Sequence, residues 1–301
     1  MSDYVTKIRT DKGDKQIDYN ALANKPTISN QNLLINGDFQ IWQRGESFSN
    51  IANKYTADRW KIKNAKGSTS LVEKSTYVPT DVSMHQSIHI TETIDENTYL
   101  SYNFEFPMKG TYALSFWYLS TTSISTYKYD SSKSVKLMDL AASSEWRQAV
   151  VYFNADSMTC LDVIHAMKTG ECYITGVKLE AGITATPFVS MNYGEELALC
   201  QRYYRHVDLY FVPGVAGTTG REITFTSNMS MRTNPIVNII QVPTTLRTTG
   251  SDSVTTTLTY QSVYHGDNVL VVTFNSSAEL GSKAVAWPTS HFIISVDAEI
   301  Y

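Results

Sequence analysis

Between residues 31 and 190 apolar and polar side chains alternate in short runs broken by turn residues, and this period of two predicts antiparallel β-strands. In the stretch "TYALSFWYLS" (111–120), Leu114, Phe116 and Tyr118 fall on one face, and Ser115, Trp117 and Leu119 on the other. Runs at 86–90, 99–106, 147–153 and 172–179 read the same way. Half-buried strands of this length need a second layer to cover them, so two sheets stacked about 10 Å apart are expected over 31–190. The predicted class is all-β: a jelly-roll-like β-sandwich, a short helix, and a second β-domain.

The period changes near residue 193. In "NYGEELALCQRYYRHV", Leu197, Cys200, Tyr204 and Val207 recur at three- and four-residue spacing, which predicts a connecting helix over 191–207. Asn192 is placed to cap it, with Glu195 completing a capping box. Beyond 208 strand patterns return in "REITFTSNMSM", "IVNIIQV", "SVTTTLTY", "NVLVVTF" and "SHFIISVDAEIY". In the last, Phe292, Ile294, Val296, Ala298 and Ile300 face one way and His291, Ser295, Asp297 and Glu299 the other, predicting one buried and one solvated face. Residues 1–30 are polar and mixed in charge, and Pro26 prevents a helix from running through "ALANKP". They are expected to form an extended arm that orders by docking onto something else.

At 301 residues the chain is long enough for two domains with cores of their own. Its net charge of -4, with Lys and Arg interspersed among acids, leaves no basic stripe and argues against nucleic acid as a partner. No apolar run is long enough for a membrane helix, and the N-terminus lacks a signal-peptide pattern, so no membrane insertion is expected and synthesis is placed in the cytoplasm. Cys160, Cys172 and Cys200 are odd in number and form no C-x-x-C pair, which predicts buried free thiols. Tyr is abundant at 19 copies while charged residues make up only 18%, a combination that favours surfaces of rings and hydroxyls.

Three phrases carry a family resemblance: "NLLINGDFQIWQRG" (32–45) with "YTADRW" (55–60), then "GVKLEAGITATPF" (176–188), then "YGEELALCQRYY" (193–204). In order and spacing they resemble bacteriophage tail-fibre and receptor-binding proteins over residues 31 to about 206. The arm phrase "QIDYNALANKP" and the closing "DAEIY" are similar to segments of such proteins as well. The resemblance implies a virion tail protein assembled in the host cytoplasm. It would be a homotrimer with a sandwich like that of carbohydrate-binding modules, an arm held by other tail or baseplate proteins, and bacterial surface polysaccharide as the partner. Sandwiches that open with a similar Asn-Gly-Asp phrase often hold calcium there, which makes Asp38 a possible ligand. Thr175-Gly176 stands where paired acids are usual, and the preferred reading is a plain turn with Asp38 bonding backbone amides.

No nucleophile elbow, P-loop or H-E-x-x-H motif is present, and no cofactor or metal is expected. "GVAGTTG" (214–220) has the wrong spacing for a dinucleotide loop and reads as a flexible loop, while "HQSIHI" reads as strand, so His85 and His89 are not a zinc pair. The expectation is a binding protein without catalysis, with a purely structural virion protein as the alternative and a glycan-degrading enzyme less favoured. Sugar rings stack their C–H faces on aromatics, so candidate ligands are sought on loops. Tyr264, His265, Asp267 and Asn268 fall at a predicted hairpin tip, Trp287 precedes Pro288 in an extended loop, and Arg221 follows the glycine-rich loop. Tyr127 and Tyr129 in "STYKYDSS" are expected on an exposed hairpin, whereas Trp42, Trp60, Trp117 and Trp146 are expected in the core.

Overall fold

The computed structural model describes residues 7–10, 13–16, 30–64, 69–80, 82–93, 97–131, 133–209, 214–217, 222–228, 230–241, 243–248, 251–266, 269–280, 285–288 and 290–299. Within the N-terminal thirty residues, β1 (Lys7–Thr10) and β2 (Gly13–Gln16) pair antiparallel, so this part of the expected arm is a hairpin.

The sandwich is built from β3 (Ser47–Ile51), β4 (Lys54–Tyr55), β5 (Trp60–Asn64), β6 (Thr69–Ser75), β7 (Ser87–Glu92), β8 (Thr98–Ser120), β9 (Ile124–Asp130), β10 (Lys133–Leu140), β11 (Ser143–Met167) and β12 (Gly170–Ala181). The two longest, β8 and β11, pass through both layers. Their 110–120 and 143–155 portions pair beside β12, β7, β6 and β3, whereas their 98–108 and 158–167 portions pair beside β5 and β9. The bend between them coincides with Gly110 at φ +141° and with register shifts after Ala155, as expected where bulges turn a strand from one sheet into another. Leu114, Phe116 and Tyr118 point inward as the alternation predicts, and they meet Ile62, Leu100, Leu161 and Ile174 in one core.

Asn36-Gly37-Asp38 is the turn that locks the start of this sandwich. Asn36 sits at φ +60°, a conformation asparagine tolerates better than most residues. Its side chain accepts from the Ile41 amide at 3.0 Å and donates to the carbonyls of Ile41 and Asp58 at 2.9 and 3.0 Å. The Gly37 carbonyl accepts from the Val177 amide at 2.7 Å, and a Cβ on Gly37 would stand 2.2 Å from the Val177 carbonyl oxygen, so no other residue fits. Trp60 donates its indole N–H to the Asn36 carbonyl at 2.8 Å. Asn36 thus carries most of the backbone bonding expected of Asp38, whose Oδ2 accepts from Gln40 Nε2 at 2.7 Å. Burial raises the Asp38 carboxyl above its ordinary range, against hydrogen bonds from Ser190 and Gln40. Among the described residues no group of three or more His, Cys, Asp or Glu side chains is arranged to hold a metal ion.

The helix, α1 (Tyr193–Cys200), is shorter than its sequence period suggests. Asn192 caps it, its Oδ1 accepting from the Gly194 amide at 2.9 Å, and Glu196 in the first turn accepts the Asn36 amide. Tyr204 and Val207, expected on the helix, lie in β13 (Tyr204–Asp208). The spacing of four apolar residues fits both periods over so short a stretch, and Tyr204 pairing with Asp297 decides for the strand.

The C-terminal unit continues with β14 (Gly214–Ala216), β15 (Glu222–Asn228), β16 (Ile236–Gln241), β17 (Thr245–Thr248), β18 (Ser251–Thr255), β19 (Leu258–Gly266), β20 (Val269–Ser276), β21 (Val285–Pro288) and β22 (Ile293–Asp297). These form a three-stranded sheet in the order β13-β22-β16 and a seven-stranded sheet in the order β18-β17-β21-β14-β15-β20-β19, around a core centred on Phe225, Phe274, Phe292 and Leu246. Gly214–Ala216 is therefore strand where a flexible loop was expected. All three cysteines are free and buried, and burial pushes the Cys160 thiol up to about 11. Among the described residues, no helix is long and apolar enough to cross a membrane.

The closing run departs from its predicted solvated face: Ser295 and Glu299 are both buried. The cause is a charge cluster that joins the two units. Arg59 Nη1 donates to Glu299, and Arg44 lies 3.3 Å from Asp58, 3.5 Å from Asp297 and 3.4 Å from Glu299. The Arg59 guanidinium stacks on Tyr203 at 3.7 Å and that of Arg44 on Tyr204 at 3.6 Å. Gln43 Nε2 donates to the Tyr204 carbonyl at 2.7 Å.

Three carboxylates thus face two guanidinium groups. Burial pushes the Asp58 carboxyl up to about 6, against the pull of Arg44 and the Gln43 hydrogen bonds. The sign of the linkage follows: between pH 6 and the unfolded value of 3.8 the folded chain holds a proton that the unfolded chain releases, so stability rises as pH falls through that window. Thermal melts are expected to move upward between pH 7.5 and 5, a gain of at most about 1.4 kcal/mol for the one unit of the window crossed. Asp58→Asn should flatten this dependence; an unchanged slope would show that the proton resides elsewhere.

Candidate ligand-binding face

The alternation that sends Phe116 inward sends Trp117 outward, onto the layer formed by β11, β8, β12, β7 and β6. Register places Gln148 opposite Trp117 and Val150 opposite Ser115, while Tyr173 lies between Leu119 and His89. Four rings meet at one end of this face. Trp146 lies 5.7 Å from Tyr77 and 6.3 Å from Tyr173, Tyr77 lies 5.4 Å from Tyr173 edge-on, and His89 stacks on Tyr173 at 4.1 Å and 4°. Tyr77 is 52% exposed and Tyr152, further along β11, 53% exposed. Such pairs hold each other in fixed orientation and leave a ready apolar surface.

The imidazole of His89 is held from below, its Nδ1 2.9 Å from Glu73 Oε1 and its Nε2 3.3 Å from Thr91 Oγ1. Burial, and then the charges of Glu171 and Glu73, raise the Tyr173 phenol above its ordinary range, keeping it a hydrogen-bond donor. Trp146 Nε1 and Gln86 Oε1 are buried without a hydrogen-bond partner in the chain. A buried donor and acceptor of this kind cost about 1–3 kcal/mol each, and neither atom is open to solvent.

Beside the rings lies a cavity of about 550 Å³ lined by Trp117, Gln148, Tyr152, Met84, Pro187 and Phe188, within the usual range for small-ligand sites. Its far wall, residues 182–190, is tied to the sandwich by a buried lysine. Lys178 Nζ donates to Thr186 Oγ1 at 2.5 Å and to the Thr186 and Pro187 carbonyls at 3.3 and 3.1 Å, while Glu180 accepts the Thr186 amide at 2.7 Å. Burial pulls the Lys178 ammonium below its ordinary range, against the charge of Glu180. The wall is therefore fixed rather than free to swing.

Trp42 and Trp60 are core residues as expected, but Trp117 and Trp146 are half-buried on the outer face. Tyr127 and Tyr129, expected on an exposed hairpin, are half-buried in β9, which lies between β10 and β11. Tyr264 stands 64% exposed near the end of β19, which pairs with β20 up to Gly266 opposite Val269. His265 belongs to the same strand. Trp287 lies in β21, an inner strand paired with β17 and β14, and not in a loop; proline's demand for extended backbone before it suits a strand as well as a loop. Arg221, Asp267 and Asn268 lie outside the described residues. The sequence signal for the outer face was the period-two run itself, 146-148-150-152, which places Trp146 and Tyr152 on one side.

No protein-family model and no curated protein matches the sequence. Among solved structures, the chain is similar to a family 29 carbohydrate-binding module complexed with mannohexaose, at 10% identity and TM-score 0.31 over 46% of this chain and 92% of the module. It is also similar to the enzymatically active domain of bacteriophage CBA120 tailspike protein 4, at 16% identity and TM-score 0.38 over 49% of this chain and 21% of that one. A third is a cyclase from Fischerella sp. TAU, at 10% identity and TM-score 0.38 over 52% of this chain and 100% of the cyclase. Likeness at this level does not extend to a ligand.

Proposed function

We propose that the chain is a non-catalytic adhesin of a bacteriophage tail, a tail-fibre or baseplate receptor-binding protein that attaches the virion to a bacterial surface glycan as a homotrimer. The observation that carries the binding reading is the outer face of Tyr77, Trp146 and Tyr173 beside the cavity under Trp117. Rings of this kind offer flat apolar area for sugar C–H faces, and the exposed Gln148 opposite Trp117 supplies polar groups for a hydroxylated ligand. The tail assignment rests on the three-phrase resemblance. Three copies on one rigid head gain strength through effective concentration, so no single face needs to bind tightly.

Affinity electrophoresis in host envelope polysaccharide tests this. Wild type is expected to be retarded, and Tyr77→Ala with Trp146→Ala to lose about tenfold or more in affinity with an unchanged melting temperature. Unchanged retardation of that variant would move the site to another surface, such as the Tyr264 tip. Release of oligosaccharide fragments would replace the adhesin reading with a hydrolase, and no retention of any envelope glycan would favour an architectural role. Light scattering at the trimer mass is expected; a monomer would remove the avidity argument.

A further inference from the structure

We propose that the ring face selects glycans bearing a protonated amine, an amino sugar rather than an acidic or N-acetylated one, with Glu73 and Glu171 supplying the selectivity; this rests on the ring-face reading above. Both carboxylates belong to the face by strand register. Glu73 is opposite His89 and His89 opposite Tyr173, so one row crosses β6, β7 and β12. Glu171 is opposite Thr91 in the adjacent row, two residues before Tyr173 on the same strand. Residues directly opposite one another, and residues two apart on one strand, point to the same side of a sheet. At strand spacing the Glu171 Cα lies about 7 Å from that of Tyr173, and the Glu73 Cα about 10 Å.

The two acids share a single histidine. Glu73 Oε1 is 2.9 Å from His89 Nδ1, and Glu171 Oε2 is 4.0 Å from His89 Nε2. An imidazole carries one positive charge or none, so in either protonation state the two carboxylates leave negative charge in excess. Both are open to a ligand, the Glu73 side chain being 37% exposed and that of Glu171 53%.

No cation on the face offsets them. The outward-facing alternate positions of 71–75, 87–91, 115–119, 146–152 and 171–175 hold no lysine or arginine, and neither does the wall at 182–190. Lys74 and Arg147 fall on the other side of their strands, and Lys74 pairs with Glu46 at 2.8 Å. Lys178, further along β12, is 1% exposed and lies 3.4 Å from Glu180, also 1% exposed. Lys168, between β11 and β12, has an interaction of its own. Burial raises the Tyr173 phenol most, and the charges that add to it are those of Glu171, Glu73 and Tyr77, with no cation acting against them.

The rings favour the same charge as the acids, because a cation is attracted to the negative face of an aromatic ring. Tyr77 and Trp146 stand 5.4 and 6.3 Å from Tyr173, so a sugar stacked on them turns its substituents toward the two carboxylates. An ammonium there gains charge-assisted hydrogen bonds. An acetamide gains none, and a carboxylate is repelled.

Isothermal titration of the full chain with a β-1,4-glucosamine hexamer, its N-acetylated counterpart and hexalysine tests the proposal. The glucosamine hexamer is expected to bind about fivefold or more tightly than the N-acetylated one, with the preference shrinking in high salt. Glu73→Gln with Glu171→Gln should bring the glucosamine hexamer down to the affinity of its counterpart, and Tyr77→Ala with Trp146→Ala should weaken both; thermal melts report whether each variant is folded. Equal affinities in the wild type, a preference that survives in the folded glutamine variant, or binding of neither hexamer would overturn the proposal. Hexalysine binding as tightly as the glucosamine hexamer would replace sugar recognition with unspecific cation attraction. Equal affinities that the ring variant abolishes would remove the amine preference and leave the ring face standing, whereas a ring variant that binds like the wild type would remove the ring face itself.

Discussion

Glu299→Ala is expected to destabilise the protein by about 3–5 kcal/mol, the usual cost of breaking a buried ion pair from one side. Arg59 is 1% exposed and Glu299 0%. Without the carboxylate, Arg59 keeps the Asn103 carbonyl at 2.9 Å and the faces of Tyr203 and Tyr102, none of which neutralises its charge. Arg44 loses its 3.4 Å partner in the same step. Because Glu299 belongs to the last residues of the chain and Arg59 to the first strands of the sandwich, the loss falls on the joint between the units. Chemical unfolding followed by tryptophan fluorescence and by far-UV circular dichroism is expected to show a lower midpoint, with the two probes separating as the units uncouple. Replacing both partners, Arg59→Met with Glu299→Leu, should recover most of the loss, since apolar groups of similar volume leave no unpaired charge. A single variant within about 1 kcal/mol of wild type would mean that water reaches the cluster and screens it.

Trp60→Ala is expected to cost about 3–5 kcal/mol, as large-to-small core substitutions of tryptophan do. The indole is fully buried, 5.1 Å from Phe39 and 5.2 Å from Tyr102, and its N–H donates to the Asn36 carbonyl. Its removal therefore leaves a cavity and an unpaired carbonyl inside the turn that opens the sandwich. Trp60→Phe, which refills part of the volume but not the hydrogen bond, should fall between the two. The denaturant midpoint should drop without a change in slope; a changed slope would show that the unfolded or folded state itself has altered in compactness.

Strand positions were legible because a pleated strand with one covered face must alternate, and the 114-116-118 set is where the alternation places it. Which face is inner was not legible for aromatics. Trp117 shares its side with Ser115 and Leu119, and a tryptophan there suits a core as well as an open surface. The C-terminal tip candidates were chosen on turn chemistry, which locates a hairpin end and correctly exposes Tyr264, but says nothing about which rings gather elsewhere. The helix was overextended because the seven residues after Cys200, of mixed period, do not distinguish one helical turn from a short strand.

What the sequence determined by itself is local: an all-β chain, an Asn-Gly-Asp turn, a capped helix start and buried thiols, each fixed by the backbone preference or polarity of adjacent residues. Tertiary structure decided the rest. Arg44, Asp58 and Arg59 meet Asp297 and Glu299 only because two sheets pack, and Glu73 reaches the row of His89 and Tyr173 only through two strand pairings. Charge pairing and ring stacking act over a few ångströms of space, whereas local preference acts over a few residues of chain, so these sites appear only once the fold has brought distant segments together.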